Sequence, residues 1–226
     1  MEKMIRTMDG LNLWSESFGK PGDRPILLIM GAMNQGIFWP DAFCIQLASL
    51  GFHVVRYDHR DTGQSSKVDY QAQPYRLAEL TQDALAVLHA HNLPKATVVG
   101  LSMGGYIAQL LAIEHPEAVE RLVLISSSAD QRPYMAATMG QATSDFDLPP
   151  PGPALLEYIR ATIARPPRSP EEIEENLLTG WAITYADSRE FPRARMTAVL
   201  RQAARRTNNP LAVFNHALAI AASPDR

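Results

Sequence analysis

The sequence has little cysteine and no long apolar run. Its single cysteine, Cys44, excludes an internal disulfide framework and is typical of a reducing compartment. No hydrophobic run approaches the length of a membrane span, and residues 1–10 lack the apolar core of a signal peptide. These absences predict a soluble, cytoplasmic protein that does not use a membrane as a partner.

The chain also lacks an excess of charge of one sign. Its 226 residues carry a net charge of −3, and the sequence pI is about 6.1. Because nothing in this balance attracts nucleic acid or an anionic membrane, neither is expected as a partner, and the substrate is not expected to be a polyanion. The length suits one α/β domain, with or without an inserted subdomain.

A short apolar stretch turns sharply at a serine in Gly100-Leu101-Ser102-Met103-Gly104. This Gly-x-Ser-x-Gly spacing is typical of a nucleophile elbow, a strand-to-helix turn that exposes the serine hydroxyl. Gly100 and Gly104 would remove the steric clashes that crowd a strained serine on both sides. The N-terminus of the following helix favours anionic charge near Ser102.

Strands and helices alternate along the first half of the chain, which predicts βαβ crossovers and a parallel sheet. The predicted strands are a hairpin at residues 4–18 and apolar stretches at residues 25–30, 53–57, 95–99 and 121–126, the last of them buried. Helices are predicted after Ile125, at residues 154–164, 170–183, 189–205 and 210–222. We therefore divide the chain into an α/β core, residues 1–128, and an all-helical cap, residues 129–226.

Five stretches of the core carry a resemblance to a known family. They are residues 13–19, Met30-Gly31-Ala32, Trp39-Pro40, residues 56–65 and residues 100–104. Together they resemble the aclacinomycin methylesterase-like branch of the α/β-hydrolase superfamily, whereas the cap resembles it in architecture alone. The resemblance implies an α/β-hydrolase fold with a mostly parallel sheet flanked by helices. It also implies an ester hydrolase that uses a serine, a carboxylate and a histidine, with no cofactor or metal ion.

The resemblance assigns roles to three residues of the core. Ser102 would be the nucleophile, and the backbone amides of Ala32 and Met103 would form the oxyanion hole. The implied substrate is a small or medium organic ester, and a methyl ester of a polyketide-like compound follows from the resemblance alone. Aromatic side chains of the cap either line an apolar pocket for such an ester or pack in the core of the cap: Trp181, Tyr185, Phe191 and Phe214.

The acid and the histidine of the catalytic triad are not found in this chain. In the fold they follow the serine, on loops after strands that come after the cap, and neither strand occurs before Arg226. We therefore expect the N-terminal and cap part of a longer hydrolase, and the alternative is a short gene product. The strand at residues 121–126 would then be an apolar sheet edge, open to a missing C-terminal segment or to self-association.

Three residues could stand in for the missing partners, and each has a plainer alternative. Asp130 is either a relocated acid or a loop or hinge residue. His59 is either a base or a locally hydrogen-bonded loop residue, and His216 is either a base or a packing residue of the cap. Two other functions therefore stay open: a cofactor-free perhydrolase or lyase with the same serine, and a catalytically incomplete hydrolase-like binding protein.

Overall fold

The computed structural model describes residues 1–185 and 189–223, and the chain divides into two compact units. The first unit comprises Met1–Ala129 together with Arg206–Ser223, and the second comprises Asp130–Arg205. The segment Arg206–Ser223, which the sequence groups with the helical cap, thus packs within the first unit. Residues 186–188 and 224–226 of the predicted cap lie outside the described residues.

The first unit is built on a six-stranded sheet with the order β1-β2-β4-β3-β5-β6. The strands are β1 Glu2–Arg6, β2 Asn12–Phe18, β3 Arg24–Ile29, β4 Phe52–Tyr57, β5 Ala96–Leu101 and β6 Val119–Ile125. The pairs that involve β2 are antiparallel, which confirms the predicted hairpin. The remaining pairs, from β4 through β3 and β5 to β6, are parallel. The predicted, mostly parallel α/β sheet is therefore confirmed.

Three helices connect the parallel strands: α1 Asp41–Ser49, α2 Leu77–Ala90 and α3 Met103–Glu114. The apolar residues of α2 recur at helical spacing, so that Leu80, Ala84 and Leu88 all lie fully buried in the core. Strand β3 is apolar on both faces and its last four residues are buried. Because β3 and β5 are neighbours in register, with Ile29 opposite Gly100, their carboxyl ends meet at one edge of the sheet.

Strand β6 is present as predicted, and it is the apolar sheet edge expected where no further strand pairs with it, not the buried strand that its apolar run alone indicates. The side of β6 away from β5 pairs with no other strand among the described residues. Its last four residues, at positions 122–125, are 38–43% exposed although all are apolar. The apolar run of β6 is typical of a central strand. Such a run shows that the segment is hydrophobic, but it does not show which strands lie beside it.

The second unit is helical throughout its described part. Its helices are α4 Arg132–Thr138, α5 Pro153–Ala164, α6 Pro170–Ile183 and α7 Arg193–Arg205. The N-terminus of α6 is capped as its sequence predicts, since the Ser169 hydroxyl accepts from the Glu172 amide at 3.2 Å. Helix α7 begins four residues later than predicted because Pro192 disfavours a helical conformation at Phe191.

The segment Arg206–Ser223 completes the first unit. It contains a 3-10 turn at Pro210–Phe214 followed by helix α8, Asn215–Ala221. No helix in the described part of the chain combines the length and the apolarity that crossing a membrane requires.

Candidate active site

Ser102 lies between the end of β5 and the start of α3, in a conformation that few L-residues adopt. Its φ is 52° and its ψ is −117°, and the residue is exposed. A non-glycine residue with positive φ is strained and persists only where the surrounding structure holds it. This is the geometry of the predicted elbow, with the side chain at the surface of the sheet's carboxyl edge.

The glycines of the elbow have no room for a side chain. A Cβ atom on Gly100 would lie 2.2 Å from the Gly104 carbonyl oxygen, and one on Gly104 would lie 2.3 Å from the Ile29 carbonyl oxygen. A Cβ atom on Gly105 would lie 2.4 Å from the Cβ of Ser127. Because the first two obstacles are backbone atoms, the turn closes only with glycine at these positions.

The backbone of Ser102 is anchored to the end of β6. Its amide donates to the Ile125 carbonyl at 2.9 Å, and its carbonyl accepts from the Gly105 amide at 2.8 Å. The Ser127 hydroxyl donates to the same Ser102 carbonyl at 3.0 Å. The sequence around Ser127 gives no sign of this role, because the pairing of β5 with β6 that brings Ser127 to the elbow is a tertiary feature.

The amide of Met103 is the first N–H of α3 and points away from the helix body. The first amides of an α-helix have no acceptor within the helix, and among the described residues the Met103 amide is not bonded to any other acceptor. It therefore offers a free donor at a helix N-terminus, next to the exposed serine.

The loop that follows β3 runs directly beside the elbow. A Cβ atom on Gly31 would lie 3.3 Å from the Ser102 Cβ. The next residue, Ala32, has its carbonyl bonded to the Asn34 side-chain amide at 2.8 Å. Met33 then takes a left-handed conformation with a φ of 67°. The structure thus brings Gly31 next to Ser102. The oxyanion hole formed by the Ala32 and Met103 amides stays a prediction.

Two buried imidazoles lie against this loop. His59 and His216 are both fully buried, and their rings meet edge to face with centroids 5.6 Å apart. The Nε2 of His59 lies 2.9 Å from the Met30 carbonyl. The Nδ1 of His216 accepts from the Met33 amide at 2.9 Å, and its Nε2 lies 2.9 Å from the Arg60 carbonyl. Both nitrogens of His216 are therefore engaged by backbone groups.

Burial also sets the charge of these rings. Desolvation lowers the pKa of His59 to about 3 and the pKa of His216 to about 4, so both imidazoles are neutral at pH 7. Among the described residues, no carboxylate that would favour a protonated imidazole is bonded to either ring. The pair differs in this respect from a triad histidine, which a carboxylate orients.

Asp130, the candidate relocated acid, begins the second unit. Its carboxylate forms a two-pronged ion pair with the Arg132 guanidinium, with distances of 2.7 to 3.0 Å. The hydrogen bonds from Arg132 hold the pKa of Asp130 below its usual value. The described residues contain no group of three or more histidine, cysteine, aspartate or glutamate side chains that could hold a metal ion.

The loop after β4, from Asp58 to Ser65, is a buried polar network that the sequence presents only as a polar loop. Asp58 is fully buried, accepts from the amides of Gly36 and Gln64 at 2.8 and 3.0 Å, and pairs with Arg206 at 3.0 Å. Asp61 is also fully buried and accepts from the side-chain amide of Asn215 at 3.0 Å. Through these two carboxylates, residues 206–223 are bound to the loop after β4.

Comparison with known proteins gives consistent results. The family model of the alpha/beta hydrolase fold matches residues 24–188. Rhodomycin D methylesterase DauP of Streptomyces sp. strain C5 is 38% identical over 206 residues, which cover 88% of this chain and 69% of that protein. Rhodomycin D methylesterase DnrP of Streptomyces peucetius is 37% identical over the same shares of the two chains.

A solved structure shows the same similarity. A hydrolase from Pseudomonas aeruginosa PA01 superimposes with a TM-score of 0.67 at 26% identity, over 97% of this chain and 72% of the other. The similarity therefore extends well beyond the core stretches on which the sequence resemblance rests.

Proposed function

Because this chain belongs to the α/β-hydrolase fold family, we propose that Ser102 is the nucleophile of a serine hydrolase that cleaves carboxylic ester bonds. The observation that carries the proposal is the exposed Ser102 at a φ of 52°, with Gly31 packed against its Cβ and the free Met103 amide beside it. A strained serine between two sets of backbone amides suits acyl transfer.

In the proposed reaction the Ser102 hydroxyl oxygen attacks the ester carbonyl carbon, and the hydroxyl proton passes to water. The amides of Met103 and Ala32 stabilise the oxyanion of the tetrahedral intermediate. The alcohol leaves with a proton, and the acyl group stays on Ser102. Water then attacks the acyl-enzyme, which releases the carboxylic acid and restores the hydroxyl. Every step transfers a proton or an acyl group, so the proposal requires no cofactor.

Neither histidine beside the loop is proposed as the general base. His59 and His216 are fully buried, and each binds a backbone carbonyl or amide. Asp130 is likewise not proposed as the acid, because Arg132 occupies its carboxylate from two sides. The oxyanion donors and substrate binding alone accelerate such a reaction by about 10³- to 10⁴-fold over water.

The proposed substrate is a small or medium organic ester. Two similar proteins are named rhodomycin D methylesterases, which makes a methyl ester the first member of the class to test. A net charge of −3 gives no reason to expect a polyanionic substrate.

The test is a Ser102→Ala variant assayed on p-nitrophenyl acetate, with Ser49→Ala as the matched control on the exposed end of α1. We expect kcat to fall in Ser102→Ala towards the residual rate that binding and the oxyanion donors give, because the side chain that forms the acyl-enzyme is removed. Ser49→Ala should retain the wild-type kcat. Equal turnover by wild type and Ser102→Ala would refute the proposal.

A catalytically incomplete hydrolase-like binding protein is the second candidate. The observation that favours it is that both nitrogens of the buried His216 are engaged by the backbone. It predicts that the folded chain binds a methyl ester without turnover, and that Ser102→Ala binds it equally well. Calorimetric titration at a concentration where wild type shows no hydrolysis would establish it.

A further inference from the structure

The loop beside Ser102 is held by side chains at two of its three peptide units. The carbonyl of Met30 lies 2.9 Å from His59 Nε2, which fixes the peptide that joins residues 30 and 31. The peptide that joins Ala32 to Met33 is fixed at both ends. Its carbonyl accepts from Asn34 at 2.8 Å and its amide donates to His216 at 2.9 Å. The peptide between these two carries the Ala32 amide. Its Gly31 carbonyl accepts from the Asn34 amide at 3.4 Å, and the fixed peptides on both sides further restrict its orientation.

The hydrogen bonds of His216 allow only one tautomer. The Met33 amide is a donor, so His216 Nδ1 must accept and carries no proton. Nε2 then carries the proton and donates to the Arg60 carbonyl at 2.9 Å. A ring fixed in this way bridges the loop after β3 and the loop after β4. Because the ring is fully buried, water cannot replace either bond.

The conformation of Met33 requires such a constraint. Its φ of 67° lies in the left-handed region, which a residue with a long side chain rarely adopts. A conformation of this kind persists where surrounding contacts specify it, and such positions cluster at functional sites. Here the contact is a hydrogen bond from the strained residue's own amide to a histidine 183 positions further along the chain.

We propose that His216 is a positioning residue that orients the Ala32 amide for oxyanion binding by holding the Met33 amide in place. The inference rests on the proposed function, since it assigns His216 a part in the same site. The ring of His59 packs edge to face against the ring of His216, and its Nε2 contacts the Met30 carbonyl at the start of the loop. His216 itself touches neither Ser102 nor the substrate in this proposal.

The expected consequence is a loss of kcat with little change in KM. A displaced oxyanion donor affects the transition state, in which the negative charge develops, more than it affects the bound ester. Since a displacement of about 1 Å can lower a rate by as much as about 100-fold, we expect His216→Phe to lower kcat by roughly 10- to 100-fold. His216→Gln should restore most of the activity, because its amide group can both accept from Met33 and donate to Arg60.

The matched control is His53→Phe. His53 is another buried histidine of the first unit, but it lies at the opposite end of β4 from the site. The three variants and the wild type are compared on p-nitrophenyl acetate, and hydrogen exchange is measured by NMR at the Met33 amide. We expect faster exchange at Met33 in His216→Phe, and no change in exchange or kcat in His53→Phe.

The tautomer of His216 in the wild-type chain gives an independent test that does not depend on how a variant folds. Nitrogen-15 NMR at pH 7 should show a protonated Nε2 and a bare Nδ1, and the opposite tautomer would overturn the proposal. A folded His216→Phe variant with the wild-type kcat would overturn it as well. If turnover is lost in Ser102→Ala while His216→Phe keeps the wild-type kcat, the proposed function is upheld and the role of His216 is rejected. Turnover that survives in Ser102→Ala would reject both.

Discussion

The most informative residues of this chain are those whose backbone conformation is strained. Ser102 and Met33 both have positive φ, and they lie on the two loops that meet at the candidate site. The strain at Ser102 could be predicted from its sequence, because the flanking glycines are local and lie at fixed spacing. The strain at Met33 could not be predicted, because the histidine that accepts from its amide is distant in sequence and no local pattern around Met33 indicates the contact.

The buried histidines make stability depend on pH. An unfolded histidine has a pKa near 6.5, whereas burial lowers the pKa of His216 to about 4 and that of His59 to about 3. Between these values the unfolded chain binds more protons than the folded chain. The contribution of these histidines to the free energy of unfolding therefore falls as the pH drops from about 6.5 towards 4, by at most about 1.4 kcal/mol per pH unit for each histidine.

His216→Phe removes one of the two histidines that give this pH dependence. We predict that the slope of the free energy of unfolding between pH 6 and pH 4.5 is smaller in this variant than in the wild type, by about 1.4 kcal/mol per pH unit. Urea denaturation at several pH values measures it. Parallel slopes in the two proteins would contradict the neutral, buried state of His216.

At the scale of elements, β6 is the feature whose sequence and environment disagree. Its apolar residues at positions 122–125 are 38–43% exposed, and one of its sides is an unpaired edge among the described residues. Exposed apolar edges favour pairing between chains, and a charged side chain on the edge opposes it.

We therefore predict that the chain self-associates as its concentration rises, and that Val123→Lys reduces this association. The control is Ile45→Lys, which places the same charge on the exposed side of α1. Sedimentation velocity over a range of concentrations distinguishes the cases. Equal association in wild type and Val123→Lys would show that β6 is not the contact surface.

Most helices and strands were predictable because their end signals are local. The prolines at 153, 170 and 210 each begin a helical segment, as the sequence indicates. Helix α4 was missed although Pro133 lies in its first turn, because its seven residues are too few to show a clear apolar period. The exposure of β6 did not follow from its own apolar run, since it depends on neighbouring strands, and it was expected only from the strand order that the resemblance implies.

At the scale of the whole molecule, the chain returns to its first unit after the helical region. Residues 206–223 are tied to it by the pair of Arg206 with Asp58 at 3.0 Å and by the bond of Asn215 to Asp61 at 3.0 Å. Sequence analysis grouped this segment with the cap because its composition is helical. The contacts that place it span about 150 positions, so no local pattern could indicate them.

The Arg206 pair should therefore contribute strongly to stability. Its partner Asp58 is fully buried, so Arg206→Met would leave a buried carboxylate without its counter-charge. We predict a loss of about 3 kcal/mol in the free energy of unfolding. Arg193→Met, which removes an exposed pair with Glu175 in the second unit, should change it by less than about 1 kcal/mol. Urea denaturation measures both, and equal effects would contradict the structural role of Arg206.

The central claim is that Ser102 is a reactive nucleophile, and its most direct test is covalent labelling. The folded chain is treated with a fluorophosphonate, and intact-mass and peptide mass spectrometry locate the adduct. We predict one adduct, on the peptide that contains Ser102, and none on Ser102→Ala. A folded chain that stays unlabelled, or that is labelled at another residue, would contradict the claim.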